Sequence, residues 1–187
     1  MPRSETIRER FDREALVHAE ALYRFARRLC RDDSQAEDLF QEAYERAYRF
    51  FYQFREGSNC KSWLFAILHN LHRQRLRSPS TRQENISLDE ASEFFLHDRL
   101  LEQERILADN PEKIFFDRCP SAEVRAALSE LSEELRSAIL LCDVEGFSYR
   151  EIADILGIPL GTVRSRISRG RSHLQQRLWQ FFQAAPR

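Results

Sequence analysis

The stretch "SYREIADILGIPLGTVRSRISRGR", residues 148–171, leaves few folds open to the chain that carries it. Ser148 and Glu151 have the spacing of a capping box, in which a hydroxyl and a carboxylate satisfy each other's backbone N–H groups at a helix start. That helix runs through Leu156. Ala153 and Gly157 then stand four apart, a small side chain where two helices come close and a glycine free to take a positive φ in the turn that follows. "IPLGT" restarts a helix expected to reach about Leu178. Helix, tight turn and longer helix make a helix-turn-helix.

At about 100° per residue, Leu160, Val163, Ile167 and Leu174 share the side of that last helix which must pack. The opposite side carries Thr162, Ser165, Ser168, Arg169 and Ser172, with Arg164 and Arg166 on its flanks and Arg171 nearer the packed edge. No Asp or Glu occurs between Gly157 and Arg187. Small hydroxyls let a helix approach base edges closely, and arginines reach phosphates or the acceptor edge of guanine. An acid on such a face would be repelled by a phosphate backbone, so its absence points to a polyanionic partner. A solvated basic helix without a ligand is the alternative, although solvated faces usually mix both signs.

The rest of the chain reads as helical too. Only 5 glycines and 6 prolines interrupt 187 residues that are 42% apolar and 32% charged, enough for one compact domain or two small ones. Phe11, Ala15, Leu22, Phe25, Ala26 and Leu29 keep a helical period, predicting one long helix over roughly 8–30. After "RDDS", Ser34 and Glu37 have capping-box spacing, and Leu39, Phe40, Ala43, Tyr44, Ala47 and Phe50 form the stripe of a second helix. Asp38, Gln41, Glu42 and Glu45 lie together on its other side, a face that simple solvation would equally explain. "REGSNC" is a loop, and Leu64, Ile67, Leu68 and Leu71 bury a third helix. Trp63, Asn70, Arg73 and Arg77 fall away from that stripe, with Arg55 and Lys61 in or beside the loop. Basic groups among aromatics can track a phosphate backbone and hold unstacked bases; the alternative is that Trp63, Phe65 and the cluster Phe50, Phe51, Tyr52 and Phe54 are plain core.

The net charge of −1 conceals a pattern, +3 over residues 1–80, −5 over 81–127 and +1 over 128–187. Periodicity fades at "SPSTRQENISLDEASEFF", so an acidic linker is expected from Ser78, with helical turns at about 92–107 and after "DNPEK". Ser121 and Ser132 look like N-caps for two short helices whose core is Leu128, Leu131, Leu135, Ile139 and Leu140. The fold class is therefore all-α: two small helical domains, 1–77 and 121–187, joined by an acidic linker, 78–120. Cys30, Cys60, Cys119 and Cys142 form no C-x-x-C pair and are expected as free thiols. Cys60, His69 and His72 lack a fourth ligand, so neither a metal nor any other cofactor is expected. No run approaches roughly 18 apolar residues and "MPRSETIRER" is polar, so the expectation is a cytoplasmic protein with no membrane insertion.

Taken together, "AEDLFQEAYERAYRFFYQFREGSNCKSWLFAILHN" and, after the acidic stretch, "LSELSEELRSAILLCDVEGFSYREIADILGIPLGTVRSRISRGRSHLQQRL" resemble an extracytoplasmic-function sigma factor of bacterial RNA polymerase. The resemblance covers roughly residues 15–77 and 121–178. It implies that Asp38, Leu39, Gln41 and Glu42, on the family's D-x-x-Q-E pattern, bind the clamp helices of core RNA polymerase. Arg55, Ser58, Asn59, Lys61, Trp63, Asn70, Arg73 and Arg77 would open and read the minus-ten promoter element, capturing a base outside the stack. Thr162, Arg164, Ser165, Arg166, Ser168 and Arg169 would read the minus-thirty-five element in the major groove of promoter DNA. The linker would thread toward the RNA exit path, and an anti-sigma factor would hold the protein inactive by covering both modules. Two departures stand out. Where the family commonly has a Phe before the loop's tryptophan, this chain reads "SNCKSW", which leaves the minus-ten base preference open. Gly170 replaces the usual Ala of "SRAR" and is expected to weaken its helix by about 1 kcal/mol.

Two other classes compete. A helix-turn-helix regulator would bind duplex DNA unaided, its N-terminal module sensing a ligand or partner. An enzyme would need a constellation that is absent: there is no P-loop, G-x-S-x-G or H-E-x-x-H, and His18, His69, His72, His97 and His173 lack carboxylates at catalytic spacing.

Overall fold

The computed structural model describes residues 6–30, 32–76 and 121–184, without the side chains of residues 121 and 180–184. Every regular element among the described residues is helical. In chain order these are α1 (Ile7–Glu14), α2 (Ala19–Leu29), α3 (Asp33–Phe50), α4 (Cys60–Leu76), α5 (Ser121–Glu130), α6 (Glu133–Ile139), α7 (Tyr149–Leu156) and α8 (Leu160–Ala184). The chain divides into two compact units, the first including α1–α4 and the second including α5, α6 and α8. The expected acidic linker, its helical turns, Arg77 and Cys119 lie outside the described residues.

The long first helix expected over 8–30 is instead two helices. Thr6 and Glu9 close a capping box that starts α1, with Thr6 N donating to Glu9 Oε2 at 2.9 Å and Glu9 N to Thr6 Oγ1 at 3.2 Å. α1 stops at Ala15, followed by a 3₁₀ turn at Leu16–His18. The Ala15 carbonyl accepts from His18 N at 3.1 Å, closing the 3₁₀ turn, and from the Tyr44 hydroxyl at 2.9 Å, which fastens the turn to α3. Burial pushes the Tyr44 hydroxyl up to about 12, so it keeps the proton it donates. The apolar period survives the break: Phe11, Ala15, Leu22, Phe25, Ala26 and Leu29 are all buried.

α3 begins earlier than Ser34. Asp32 is the N-cap, in extended conformation, and its carboxylate accepts from Gln35 N at 2.8 Å. Leu39, Ala43 and Ala47 then bury one face, and α3 packs between α2 and α4. α4 is held on nearly all sides. Leu64, Phe65 and Leu68 are fully buried, each such side chain stabilising the fold by about 1.5–3 kcal/mol. Trp63, expected on an exposed side, is 5% exposed. The 3₁₀ turn Phe51–Gln53 brings Phe51 and Phe54 against its ring, at 6.1 and 5.1 Å between centroids. Phe50 is only partly buried and Tyr52 is 64% exposed, so the aromatic cluster is core in part.

In the second unit Ser132 stands at the N-cap of α6, but through its carbonyl, which accepts from Arg136 N at 2.9 Å, and not through its hydroxyl. α5 already includes Ser121. A π-type turn, Leu140–Val144, follows α6, and Gly146 with φ 74° lets Phe147 N return to the Leu141 carbonyl at 3.0 Å. The Ser148–Glu151 capping box forms as its spacing requires. Gly157 has φ 63°, and Val163 N donates to the Pro159 carbonyl where α8 begins. α8 runs six residues beyond Leu178, to Ala184.

Candidate nucleic-acid and polymerase interface

The packed side of α8 contains Val163, Ile167, Leu174 and Leu178, all buried, with Leu160 half-buried. Gly170 joins them. A Cβ built there would lie 2.7 Å from Ile139 Cγ1 and 3.1 Å from its Cδ1, so α8 presents its backbone directly to the Ile139 side chain of α6. The expectation that Gly170 merely weakens the helix is therefore incomplete, because its missing side chain makes room for Ile139. Arg171 belongs to the same packing: it forks onto Asp143 of the π turn, with Nη2 to Oδ1 at 2.5 Å and Nε to Oδ2 at 3.2 Å. The Asp143 side chain is 5% exposed, so this is a nearly buried ion pair that fixes α8 on the turn before α7.

On the outward side Arg164, Ser168 and Arg169 are exposed, and Thr162 and Ser165 are half-exposed. Arg169 folds back over Ser165, its Nη2 donating to Ser165 Oγ at 3.2 Å, while Ser165 Oγ donates to the Thr162 carbonyl at 2.9 Å. Arg164 makes no ion pair or hydrogen bond among the described residues. Arg166 differs from both. Its Nη2 reaches Glu134 of α6 at 2.8 Å, and its side chain is only 20% exposed. Sequence patterning placed Arg166 on the flank but could not see Glu134, which lies 32 residues earlier.

The acidic face of α3 is presented as expected for Asp38, Gln41 and Glu42, all exposed. Leu39 is not part of it. It is fully buried, and its position in the pattern serves to seat α3 on the core. Gln41 Nε2 donates to Glu37 Oε1 at 3.3 Å, and Arg75 of α4 reaches Glu42 Oε2 at 2.5 Å and the Gln35 carbonyl at 3.4 Å. Asp38 makes no ion pair among the described residues.

The loop between Phe54 and α4 holds the other group of candidates. Gly57 takes φ 83°, and Ser58 N donates to the Arg55 carbonyl at 3.1 Å, making a compact turn that leaves Arg55 exposed. The Asn59 side chain accepts from Ser62 N at 3.0 Å, which commits its amide oxygen to starting α4. Lys61 Nζ lies 5.6 Å from the centroid of Phe65. Asn70 and Arg73 are half-exposed further along α4. Lys61 and Asn70 are nine residues apart, about 180° around the helix, so they do not share a face. The loop group and the Asn70–Arg73 group are two sites on one helix. Among the described residues no three His, Cys, Asp or Glu side chains converge on a metal-sized site.

The family model for Sigma-70 region 2 matches residues 16–82, and the model for Sigma-70, region 4, matches residues 121–174. The ECF RNA polymerase sigma factor SigE of Mycolicibacterium smegmatis is 40% identical over 163 residues, 86% of this chain and 58% of that protein. The chain therefore spans a little over half of SigE's length. The RNA polymerase sigma-H factor of Pseudomonas aeruginosa is 32% identical over 90% of this chain and 86% of that protein. Among solved structures, the sigma factor RpoE in complex with the anti-sigma factor NepR from Bartonella quintana is 31% identical, with TM-score 0.67, over 91% of this chain and 97% of RpoE. CnrH, in complex with the cytosolic domain of CnrY, shares the fold at 22% identity and TM-score 0.62. On these matches the chain belongs to the sigma-70 family of bacterial RNA polymerase sigma factors, in its extracytoplasmic-function group.

Proposed function

We propose that the chain is a non-enzymatic transcription initiation factor whose faces divide the work as follows. Asp38, Gln41 and Glu42 on α3 bind core RNA polymerase, and Leu39 holds that face in place. The loop of Arg55, Ser58 and Asn59, with Lys61, is one site for opening and reading the minus-ten element, and Asn70, Arg73 and Arg77 further along the chain are a second site for the same element, while Trp63 supports the loop from the core. Arg164, Ser165 and Arg169, with Thr162 and Ser168, read the minus-thirty-five element in the major groove. Arg166, tied to Glu134, contacts phosphate and not base. Residues 1–77 then form the polymerase-binding and melting module, 78–120 an acidic linker toward the RNA exit path, and 121–187 the duplex-reading module.

One observation carries the reading: a single chain presents an acidic face on α3 with Asp38 unpaired among the described residues, and an acid-free face on α8 with Arg164 and Arg169 outward. Opposite signs suit different partners, one a basic protein surface and the other DNA. A regulator acting without polymerase would account for α8 but would leave the Sigma-70 region 2 match without a role. The complex of RpoE with NepR supports an anti-sigma factor as a further partner. No described helix is long and apolar enough to cross a membrane, and a factor that works on DNA and polymerase would act in the cytoplasm. The test is binding to sigma-free core polymerase by fluorescence anisotropy. Asp38→Arg is expected to weaken it at least about tenfold, since like charges facing across an interface repel strongly. Equal affinities for the two proteins would remove α3 from the interface.

A further inference from the structure

The loop at 55–59 is tied at its entry by a residue that neither the periodicity nor the family pattern marks. Arg10 of α1 donates from Nη2 to the Phe54 carbonyl at 2.9 Å, the last carbonyl before the loop. Its guanidinium lies over two rings, 5.0 Å from the centroid of Phe51 and 5.8 Å from that of Phe54. Those rings stack on each other at 5.4 Å and 15°. Both also touch Trp63, one turn inside α4 beyond the loop. Glu14 aims the guanidinium, accepting from Arg10 Nε at 3.2 Å, and both side chains are largely shielded, at 23% and 21% exposed. The pair is felt at the loop's exit as well. Burial pushes the Cys60 thiol up to about 12, with the Glu14 carboxylate adding to the rise and the Arg10 guanidinium opposing it.

We infer that Arg10, aimed by Glu14, is the positioning residue of the promoter-opening loop, bracing the loop's entry at Phe54 against the Phe51–Phe54–Trp63 stack. This rests on the assignment of loop 55–59 to the minus-ten element. A loop that must hold a base outside the duplex stack has to be rigid before the base arrives, because ordering it during capture would subtract from a few kcal/mol of unstacking already required. Asn59 and the turn at Gly57 shape the loop from within. Arg10 bonds the loop's entry from a distant helix, across 44 residues of sequence. A planar guanidinium suits the task because it can stack on a ring, donate to a carbonyl and donate to a carboxylate at once.

The experiment uses the full chain with sigma-free core polymerase and one promoter in two forms, fully paired and pre-opened by mismatches at minus ten. Core binding and open-complex formation, read by permanganate reactivity of thymines, are measured for Arg10→Ala, Arg10→Lys, Glu14→Gln and the loop variant Arg55→Ala/Lys61→Ala. Arg10→Ala is expected to bind core polymerase within about twofold of the unmodified protein. It should open the paired promoter at least about tenfold less, the factor that follows from losing a hydrogen bond to a charged group. It should also recover most of that loss on the pre-opened form. Arg10→Lys should fall between, and Glu14→Gln, which keeps the shape of the site, should lose less in the same pattern. Thermal melts followed by circular dichroism accompany each variant; if Arg10→Ala fails to fold, Glu14→Gln and Arg10→Lys decide. Equal losses in core binding and in opening of both promoter forms would overturn the inference, since that is how a merely structural residue behaves. If the loop variant loses opening while the Arg10 and Glu14 variants do not, the brace is wrong and the loop assignment stands. If the loop variant opens the paired promoter normally, the loop assignment falls and takes the brace with it.

Discussion

Replacing Gly170 by Ala separates two effects that the sequence alone combines. In a helix interior the change should stabilise by about 1 kcal/mol, because glycine loses more backbone freedom on folding. The structure sets a larger opposing effect. The new Cβ would sit 2.7 Å from Ile139 Cγ1, about 1 Å inside the roughly 3.5–4.0 Å of an ordinary carbon contact. Ile139 is 1% exposed, and Leu140 and Leu141 beside it are fully buried, so it has no vacant space to enter. Overpacking of this kind costs about 1–3 kcal/mol. The net expectation is a loss of about 1 kcal/mol, a fall of roughly 4–8 °C in the melting temperature of a module this size. Differential scanning calorimetry of the full chain, with the Ile139→Ala and double variants, gives the complete cycle. In the Ile139→Ala background the obstruction is gone, and Gly170→Ala should there stabilise by about 1 kcal/mol. If Gly170→Ala stabilises the unmodified protein by that amount, α6 and α8 do not pass as closely as described.

Arg169→Ala should cost roughly 1–3 kcal/mol on promoters with the preferred minus-thirty-five sequence and little elsewhere, whereas Arg166→Ala should act evenly across sequences; competitive transcription of several promoters distinguishes them. Glu134→Gln should release Arg166 toward phosphate and tighten DNA binding without sequence preference, so unchanged affinity in an anisotropy titration would refute the pairing's role. If about five phosphates are neutralised, affinity for duplex promoter should fall roughly 500-fold between about 50 and 200 mM salt, and a flat response would contradict the α8 assignment. Burial pushes the thiols of Cys60 and Cys142 up to about 12, and at pH 8 both should resist iodoacetamide in the native protein while reacting after unfolding; mass spectrometry of the labelled peptides reads the result.

What the sequence made legible was local. The Ser148–Glu151 box, the Ala153–Gly157 spacing and the outward face of α8 depend on residues within two turns of one another, and the structure places them as expected. The errors arise where a distant partner outbids a local pattern. Ala15 has helical surroundings, yet a 3₁₀ turn follows it, fastened by a tyrosine hydroxyl 29 residues away that bonds its carbonyl. The Ser34 error is instead local: Ser34 and Glu37 have the right spacing, but Asp32, two residues earlier, offers its carboxylate to the backbone first. Trp63 leaves the apolar stripe on a helical projection, and only the 3₁₀ turn that swings Phe51 and Phe54 over it shows it to be core. The same holds at the interfaces. Arg164, Arg166 and Arg169 look alike in sequence, and Glu134 sets one of them apart.

In the proposed function these faces together direct polymerase to promoters. The most direct measurement adds the purified protein to sigma-free bacterial core polymerase with a library of genomic fragments and sequences the 5′ ends of the transcripts. Initiation at promoters sharing two elements at fixed spacing, abolished by Asp38→Arg and redirected or lost with Arg169→Ala, is the predicted result. No initiation, with specific binding of the protein alone to duplex fragments, would contradict it and return the acidic face of α3 to plain solvation.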